Sequence, residues 1–592
     1  MAGGGFFFGH LLWAGHSYGR LPSMADGPLQ RLYLALAPHL LPIIESVLVL
    51  AVVILTFRAR GKVQVFLSYG SFFSRLARRK ILSIFLVGFL TFAIRVAFIP
   101  VWGIPQPSWH DEFSFLLAAD TFAHGRVTNP PHPMWKHFEG FHIIQQPTYM
   151  SMYPPGQGII LAAGQLLGHP WIGQLVTTAL MCSCLCWMLQ GWVPPPWALL
   201  GALLLMMRVA LLSYWMNSYF ATSLPAIGGM LVLGALPRIR HAAPVADAVF
   251  MAVGLAILAN TRPYEGLVFS APFVVGLIVW IAKQKRFANA ILIRRVIAPM
   301  ALIVVITGTG MGYYFWRVTG SAVVMPYQVN RRTYAVAPYF IWQKPRPEPE
   351  YRHAVMRNFY TDWEMRGYIE GTTVRGFVRR TAERIGTLWA FFVGPVFTLP
   401  LLAFPWLFRD RRMRLPLIVA GVVVLGNLVE TWTLVHYLAP ALGLFYLLLV
   451  QSMRHLRLYV RRGRALGHGL VRAVVMVCVA VVVLRVLAMA TAVRTEPPRP
   501  AGNQKRNAVE QQLRALPGKQ LVIVHYSAKH IPHEDWINNR ADIDAAKIVW
   551  ARDMGTADNR ELVAYFKDRK IWLVNADDPS PAPQPYSSGA SQ

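Results

Sequence analysis

Long apolar runs are the feature that most restricts how this 592-residue chain can fold. A helix that crosses a bilayer needs about 20 mainly apolar residues. Twelve segments approach that requirement: 38–57, 81–102, 170–190, 196–212, 214–236, 245–260, 264–282, 296–315, 388–408, 415–433, 435–452 and 470–492. Only 15% of the residues are charged, whereas an ordinary soluble domain has about 25%. The pattern predicts a polytopic α-helical membrane protein with about 12 spans. It excludes a soluble enzyme and a disordered chain.

The basic residues predict which side of the membrane each loop faces. The formal net charge is +30, and the Lys and Arg residues stand in short clusters between apolar runs. This arrangement is typical of cytoplasmic loops and not of a nucleic-acid-binding surface, so no nucleic-acid partner is expected. All the clusters share one side if 156–168 is a short helix at the outer interface and not a span. The expected location is the cell inner (plasma) membrane, in contact with the lipid bilayer.

Three parts follow from this topology. Residues 1–80 form an N-terminal anchor span, without a cleavable signal pattern before it, and a cytoplasmic loop. Residues 81–492 form the main transmembrane domain, with outer loops at 103–169 and 316–387. Residues 493–592 form a small extracytoplasmic α/β domain with a Pro-rich linker at 496–500 and a disordered end. Its predicted strands are 521–526, 546–551 and 571–575, and its predicted helix is 559–569.

Two adjacent carboxylates, Asp111 and Glu112, follow the second predicted span. Charged groups at a membrane surface are costly to desolvate and usually functional. Neighbouring residues of a helix project about 100° apart. One carboxylate can therefore enter a pocket as a general base while the other supports it or binds a cation. We predict that Asp111 is the catalytic base and Glu112 its partner. The alternative is a solvated loop in which Asp111 only caps the following helix.

Other polar and aromatic residues fall at the same outer ends of the predicted spans. The candidate substrate-binding residues are Arg262, Glu265, Asn217, Tyr219, His436, Tyr437, Arg331 and Arg332. The planar guanidinium of Arg262 suits a phosphate, although a pair with Glu265 that merely closes the turn is the alternative. The aromatic residues can equally form an interfacial belt, and His436 can be a satisfied interfacial histidine. Together these residues indicate a site for a substrate with an apolar tail and an anionic head.

A divalent metal near Asp111 is a further possibility. His132, His137 and His142 lie in the first outer loop, and imidazole is a common zinc ligand. Their spacing matches no standard metal site. The sequence therefore assigns no metal-binding residue and no certain cofactor.

Two motifs accompany the acidic pair that follows the second span: Tyr153-Pro154-Pro155-Gly156-Gln157 and Gly168-His169-Pro170-Trp171. With them, the sequence over residues 80–450 resembles the GT-C superfamily of integral-membrane glycosyltransferases. The resemblance is strongest to the bacterial branch of protein O-mannosyltransferases and the lipid A aminoarabinose transferase. It implies a GT-C-like catalytic domain in 81–492 with Asp111 as the catalytic acidic residue. It also implies a polyprenyl-phosphate-linked sugar as donor and an extracytoplasmic site. The turn Arg262-Pro263-Tyr264-Glu265-Gly266 and the α/β tail depart from that pattern, so the acceptor stays open.

These expectations combine into a hexosyl- or pentosyltransferase that moves a sugar from a polyprenyl-phosphate donor to an envelope lipid, glycan or protein. Three alternatives remain: a transporter or flippase for lipid-linked saccharides, a polymerase or ligase that uses a diphosphate-linked oligosaccharide, and a non-catalytic assembly protein. Transporters often show repeated halves with polar segments near the middle of the membrane. This sequence has no evident repeat, and its polar groups lie at the ends of spans, which favours an enzyme.

Overall fold

The computed structural model describes residues 28–58, 67–460, 466–490 and 504–586. The expectation about a signal segment falls largely on residues 1–27, which lie outside this part of the chain, as does the linker at 496–500. Most of the described chain is helical. The helices are α1 (Pro28–Arg58), α2 (Leu67–Arg78), α3 (Lys80–Ala97), α4 (Ile99–Trp102), α5 (His110–Ala123), α6 (Pro155–Leu166), α7 (Pro170–Leu189), α8 (Pro195–Ala210), α9 (Ser223–Ala242), α10 (Val245–Ala259), α11 (Pro263–Lys283), α12 (Asn289–Thr319), α13 (Pro326–Tyr334), α14 (Ala354–Arg357), α15 (Glu364–Thr372), α16 (Val374–Leu401), α17 (Arg414–Leu428), α18 (Val435–Arg457), α19 (Leu466–Ala490), α20 (Gln504–Ala515) and α21 (Thr556–Tyr565).

Helices at all twelve predicted positions confirm a polytopic helical architecture. Judged by length and composition, eight helical segments of the described residues could cross a membrane; they lie in α1, α3, α7, α11, α12, α16, α18 and α19. The apolar helices α8 and α10 are shorter. Large apolar side chains are exposed along these helices, as at Leu302, Val305 and Ile306 of α12. Such a surface is costly in water and suits contact with lipid.

The span predicted over 214–236 is wrong at its beginning. Residues 211–222 are not helical, and α9 begins only at Ser223. Side chains of neighbouring helices hydrogen-bond the irregular backbone: Trp171 Nε1 donates to Met216 O at 2.7 Å, and Gln157 Nε2 donates to Tyr219 O at 3.0 Å. Irregular backbone at this depth is stable only when it is buried in protein with its polar groups satisfied. Hydropathy does not detect such partners.

Two other boundaries differ from expectation. α16 begins at Val374, whereas the predicted span begins at 388, because the first turns of this helix are amphipathic and carry several arginines. α12 extends to Thr319, so the second loop between helices is shorter than the predicted 316–387. The segment 156–168 forms the short helix α6, as expected, and α6 packs between α5 and α7.

The main core lies among α7, α8, α9, α18 and α19. α1 joins this core through a buried ion pair in which Arg208 Nη1 lies 2.8 Å from Glu45 Oε2. Both side chains are mostly buried, at 12% and 2% exposure. Ionisable side chains in apolar surroundings pair with each other, and this contact gives the Arg208 of the fourth predicted span its partner.

The C-terminal region contains the predicted α/β unit. Strands β3 (Gln520–His525), β4 (Ile548–Arg552) and β5 (Lys570–Asn575) are parallel in the order β4-β3-β5, and β6 (Gln584–Pro585) is antiparallel to β5. The earlier strands β1 (Ile143–Ile144) and β2 (Met150–Ser151) form a small antiparallel pair in the first loop. β6 lies within the dozen residues expected to be disordered; residues 587–592 lie outside the described part.

The α/β unit packs against α5 and the first loop. Leu117, Phe138, Ile143 and Tyr149 share one buried cluster with residues of β3, β4 and α21. Asp120 Oδ2 of α5 also accepts a hydrogen bond of 2.9 Å from the backbone N–H of Ala541. The α/β unit therefore covers the segment that carries Asp111.

Candidate active site

The site begins at the first turn of α5, where Glu112 fixes the backbone. Its carboxylate accepts N–H groups from Ser108 at 2.8 Å, Trp109 at 3.1 Å and Tyr219 at 2.9 Å. Burial raises the pKa of Glu112 to about 7, although these three hydrogen bonds favour the carboxylate. Glu112 thus joins the start of α5 to the irregular segment 211–222. Its contacts fit a positioning group better than the catalytic partner predicted from the sequence.

Asp111 faces a different environment, made of side chains. His110 Nδ1 lies 3.1 Å from its Oδ2, His142 Nδ1 lies 3.3 Å from its Oδ1, and the Tyr153 hydroxyl donates to Oδ1. Burial alone would raise the pKa of Asp111, but the adjacent His142 and His110 outweigh it and hold that pKa well below its usual range. Asp111 is therefore ionised at neutral pH. It keeps 22% exposure, so it is accessible to a ligand.

The histidines around Asp111 form a continuous row. His110 Nδ1 lies 3.0 Å from His142 Nδ1, and His110 Nε2 lies 3.0 Å from His533 Nδ1. Burial, followed by the neighbouring His142, lowers the pKa of His110. His533 comes from the α/β unit, more than 400 residues away in the sequence. A neutral imidazole has one donor and one acceptor nitrogen, so each ring of this row constrains the next.

Ligand atoms for a metal ion converge at the same place. One atom each of His110, Asp111 and His142 lie within 4.8 Å of one another. The sequence suggested His132, His137 and His142 as histidine ligands, but the structure separates them. His132 Nε2 lies 3.2 Å from Asp544 Oδ1, and His137 Nδ1 lies 3.1 Å from Arg552 O. Only His142 of the three joins Asp111.

Arg262 lies at the turn before α11 and approaches the cluster from the other side. Its Nη1 lies 3.3 Å from Glu265 Oε1, and its guanidinium carbon lies 4.4 Å from the centre of the Tyr437 ring. The pair with Glu265 that the sequence offered as an alternative is therefore formed. Burial would lower the pKa of Arg262, but Glu265 and the neighbouring Tyr437, Tyr153 and Tyr327 together outweigh it and raise that pKa, so the residue stays cationic.

Two tyrosines connect Arg262 with Asp111. Tyr153 donates to Asp111 and also lies within electrostatic range of Arg262. Tyr437 contacts Arg262 through its ring and lies within electrostatic range of Asp111. Tyr153 and Tyr437 therefore link the Asp111 carboxylate and the Arg262 cation, the two groups that the sequence analysis assigns to one site.

The remaining candidates lie near this region but are engaged elsewhere. Asn217 Oδ1 accepts from Arg95 Nε at 2.8 Å, and the Tyr219 hydroxyl donates to Pro105 O at 2.8 Å. His436 is buried, with Nδ1 3.2 Å from the Tyr214 hydroxyl. Two further candidates also differ from expectation, because Arg331 binds both oxygens of Glu364 at 2.6 and 2.8 Å and Arg332 is exposed on α13.

Comparisons with known proteins give matches in structure and none in sequence. No family model matches the chain, and no curated protein matches it in sequence. ArnT from Cupriavidus metallidurans in the apo state aligns with a TM-score of 0.46 and 12% identity over 86% of this chain and 93% of that chain. The oligosaccharyltransferase of Archaeoglobus fulgidus aligns with a TM-score of 0.44 and 10% identity over 84% of this chain and 68% of that chain.

The same ArnT bound to undecaprenyl phosphate aligns with a TM-score of 0.47 and 12% identity, over the same shares of the two chains. All three matches are similarities of structure at 10–12% sequence identity. They concern the arrangement of the helices.

Three residues of the cluster were not among the candidates. His110 stands beside Asp111 in the sequence, and Tyr153 opens the Pro-Pro motif, so both had a local signal. His533 had none, because only the docking of the α/β unit brings it to His110. Arg95 of α3, which contacts the candidate Asn217, was also absent from the predicted residues. Arg95 is almost fully buried and hydrogen-bonds Asn217. Its guanidinium carbon lies 4.5 Å from the centre of the Trp171 ring.

Proposed function

We propose that this protein is a membrane glycosyltransferase that moves a sugar from a polyprenyl-phosphate donor to an envelope lipid, glycan or protein acceptor at the outer face of the membrane. The supporting observation is that Tyr153 and Tyr437 each lie near both the Asp111 carboxylate and the Arg262 cation. A base and a cation across one space are what transfer from a phosphate-linked sugar to a hydroxyl acceptor requires.

In the proposed reaction Asp111 takes the proton of the acceptor hydroxyl. The acceptor oxygen forms a bond to the anomeric carbon, and the bond from that carbon to the phosphate oxygen breaks. The lipid phosphate leaves with the bonding electrons, and the anomeric centre is inverted. Arg262 stabilises the growing negative charge on the phosphate. His110 and His142 hold the Asp111 carboxylate in position, with their Nδ1 atoms 3.1 and 3.3 Å from its oxygens.

A small, mainly apolar cavity lies beside Glu265 and Tyr437, the two residues that Arg262 contacts. It is about 10 Å³ in volume and lies between α11, α17 and the start of α18, with Glu430, Val268 and Phe269 in its lining. This cavity is too small for an isoprene unit. We assign the prenyl tail of the donor to the apolar outer surface of α11 and α17, where Leu267 and Leu425 are exposed. Apolar burial contributes about 25 cal/mol per Å², so the tail would supply much of the donor's binding free energy.

His110, Asp111 and His142 would hold a divalent metal ion. Two imidazole nitrogens and a carboxylate oxygen form a donor set that suits zinc and related ions. Such an ion polarises an oxygen bound to it. Removal of the metal with a chelator is expected to lower transfer by the purified protein, and re-addition of Zn²⁺ or Mn²⁺ is expected to restore it. Elemental analysis of wild-type and His142→Ala protein would test the ligand assignment independently of activity.

The function is tested with purified full-length protein in lipid nanodiscs, a panel of polyprenyl-phosphate sugars and envelope extracts as acceptors. Wild-type protein is expected to release polyprenyl phosphate and form a glycosylated product. Asp111→Asn is expected to lower transfer by at least about 100-fold, because it removes the general base. The control, Asp362→Asn, changes an exposed aspartate of the second outer loop and should leave transfer unchanged.

Each alternative function gives a different result in this assay. Movement of the lipid-linked sugar across the bilayer without product would indicate a flippase. Turnover only with diphosphate-linked oligosaccharides would indicate a polymerase or ligase. Full transfer by Asp111→Asn protein would contradict the proposed mechanism.

A further inference from the structure

The α/β unit reaches the Asp111 cluster through the side chain of His533. This residue lies in a short 3-10 helix, Pro532–Glu534. Its Nδ1 is 3.0 Å from His110 Nε2, and the two rings stack with centroids 5.2 Å apart at an interplanar angle of 24°. His110 is thus held on one side by Asp111 and His142 and on the other side by the C-terminal region.

The loop that carries His533 is fixed by a buried charge pair. Arg552 Nη2 lies 2.8 Å from Asp535 Oδ2, and the two side chains are only 2% and 1% exposed. The Tyr526 hydroxyl donates to the same carboxylate at 2.8 Å. Arg552 Nε donates in turn to Glu139 O at 2.7 Å. One arginine therefore ties the segment before His142 to the loop of His533.

Aromatic rings enclose His533 at this junction. The ring centroids of Trp363, Trp109 and Phe359 lie 4.7, 5.3 and 5.5 Å from the His533 centroid. Rings in edge-to-face contact restrict each other's orientation. The imidazole of His533 has little rotational freedom, and its Nδ1 stays directed at His110.

We infer that His533 is a positioning residue that holds the His110 ring against Asp111, which makes the α/β unit a working part of the site. The hydrogen bond between the two rings engages Nε2 of His110 and so leaves Nδ1 facing Asp111. Partners of this kind, which orient a functional histidine through its far nitrogen, typically change activity or metal affinity by about 10–100-fold when removed. The inference rests on the proposed transferase function.

The experiment compares His533→Ala with His533→Asn in the full-length protein. Asn retains a hydrogen-bonding group near the position of Nδ1 and Ala does not. His533→Ala is expected to lower kcat by about 10–100-fold with KM nearly unchanged, and His533→Asn is expected to recover most of the loss. The control, His525→Ala, changes an exposed histidine of β3 paired with Asp553 and should leave both constants unchanged. Unaltered kcat in His533→Ala, a change confined to KM, or equal loss in both His533 variants would overturn the inference.

A second readout does not depend on turnover. Diethyl pyrocarbonate modifies accessible imidazole nitrogens, and peptide mass spectrometry reports the modification of each histidine. Modification of His110 is expected to increase in His533→Ala and not in His533→Asn. His137 and His353 are buried and hydrogen-bonded to backbone carbonyls, and they should stay protected in every variant.

Modification of all three histidines in His533→Ala would indicate general loosening of the α/β unit and would contradict a specific role for His533. If wild-type protein transfers no sugar from any donor, the proposed function fails. The labelling of His110 still decides whether His533 holds that ring.

Discussion

At the residue scale, two neighbouring carboxylates have opposite surroundings. Glu112 accepts hydrogen bonds from three backbone N–H groups. These donors are part of the folded backbone, so they cannot move away from Glu112 without unfolding it. Asp111 binds two histidines and a tyrosine hydroxyl, and a substrate or an ion can replace such side-chain donors. The rotation of about 100° between successive helical residues separates the carboxylate bound to backbone from the one bound to side chains.

A third carboxylate, that of Glu139, makes the free energy of unfolding depend on pH. It joins the two outer loops by accepting hydrogen bonds from the Tyr334 hydroxyl at 2.9 Å and Arg352 Nη1 at 3.2 Å, and His353 Nε2 lies 3.3 Å away. Burial would raise the pKa of Glu139, but its bond with His353 and its other partners hold that pKa below the usual value near 4.5. The stabilisation is therefore complete above about pH 4.5 and disappears as the pH falls through the lower folded-state pKa.

Glu139→Gln should thus lower the unfolding temperature at neutral pH and flatten its decline in acid. Thermal unfolding of both proteins between about pH 7 and pH 3 measures this difference. Glu348→Gln is a suitable control, because Glu348 is an exposed residue paired with exposed Arg357 and such pairs contribute about 0–1 kcal/mol. Parallel curves for the wild type and Glu139→Gln would refute the assignment.

At the scale of elements, the short helix α6 is held by an unusually close crossing with α7. A Cβ atom added to Gly173 would lie 2.1 Å from Ile160 O, a backbone atom that cannot move aside alone. Only glycine allows the two helices to approach this closely. The crossing places Gln157 of α6 where it supports the irregular segment 211–222.

Gly173→Ala is expected to destabilise the protein by about 1–3 kcal/mol, the usual cost of overpacking, because α6 and α7 must separate. Gly308→Ala provides the matched control. Gly308 lies in α12, where an added Cβ would meet no atom within 4 Å, and alanine is the better helix former by about 1 kcal/mol. Its unfolding temperature should stay equal or rise slightly. A stable, active Gly173→Ala protein would show that the crossing tolerates a methyl group.

The sequence predicts the helices well and their interruptions poorly. Apolar runs of about 20 residues identify membrane helices, which is why each predicted span has a helical counterpart. The irregular backbone at 211–222 depends on donors from Trp171, Gln157 and Gln174, and no local pattern reveals them. The first turns of α16 escaped detection because that part of the helix is polar.

At the scale of the whole molecule, the α/β unit shares a buried cluster with α5 and the first loop, separate from the main core of the helical bundle. Arg552→Ala would leave the Asp535 carboxylate buried without its partner, and breaking a buried pair costs about 3–5 kcal/mol. We expect a lower unfolding temperature and faster proteolysis of the C-terminal unit. Arg514→Ala, a change of a half-exposed arginine in the same unit, should alter stability by no more than about 0.5 kcal/mol. Equal effects of the two substitutions would indicate that the unit docks without this pair.

In the site, too, sequence analysis misses contacts between residues that are far apart in the sequence. The topology derived from basic clusters predicts that Asp111 and Arg262 lie at the same membrane face, and in the structure Tyr153 and Tyr437 lie near both residues. The same analysis assigned Arg331 to substrate binding. In the structure, Nη1 of Arg331 instead donates to both carboxylate oxygens of Glu364. His533 lies 423 positions from His110, and only the packing of Leu117 and its neighbours against the sheet brings the two together.

The contact between His110 and His533 can form only late in the synthesis of the chain. A ribosome adds His110 early and His533 near the end of synthesis, so a growing chain can embed its helices long before its last imidazole exists. Until residues 504–586 have been synthesised and folded, Asp111 lacks its complete surroundings. Incomplete chains, whether stalled or clipped, would therefore lack the contact that fixes the His110 ring.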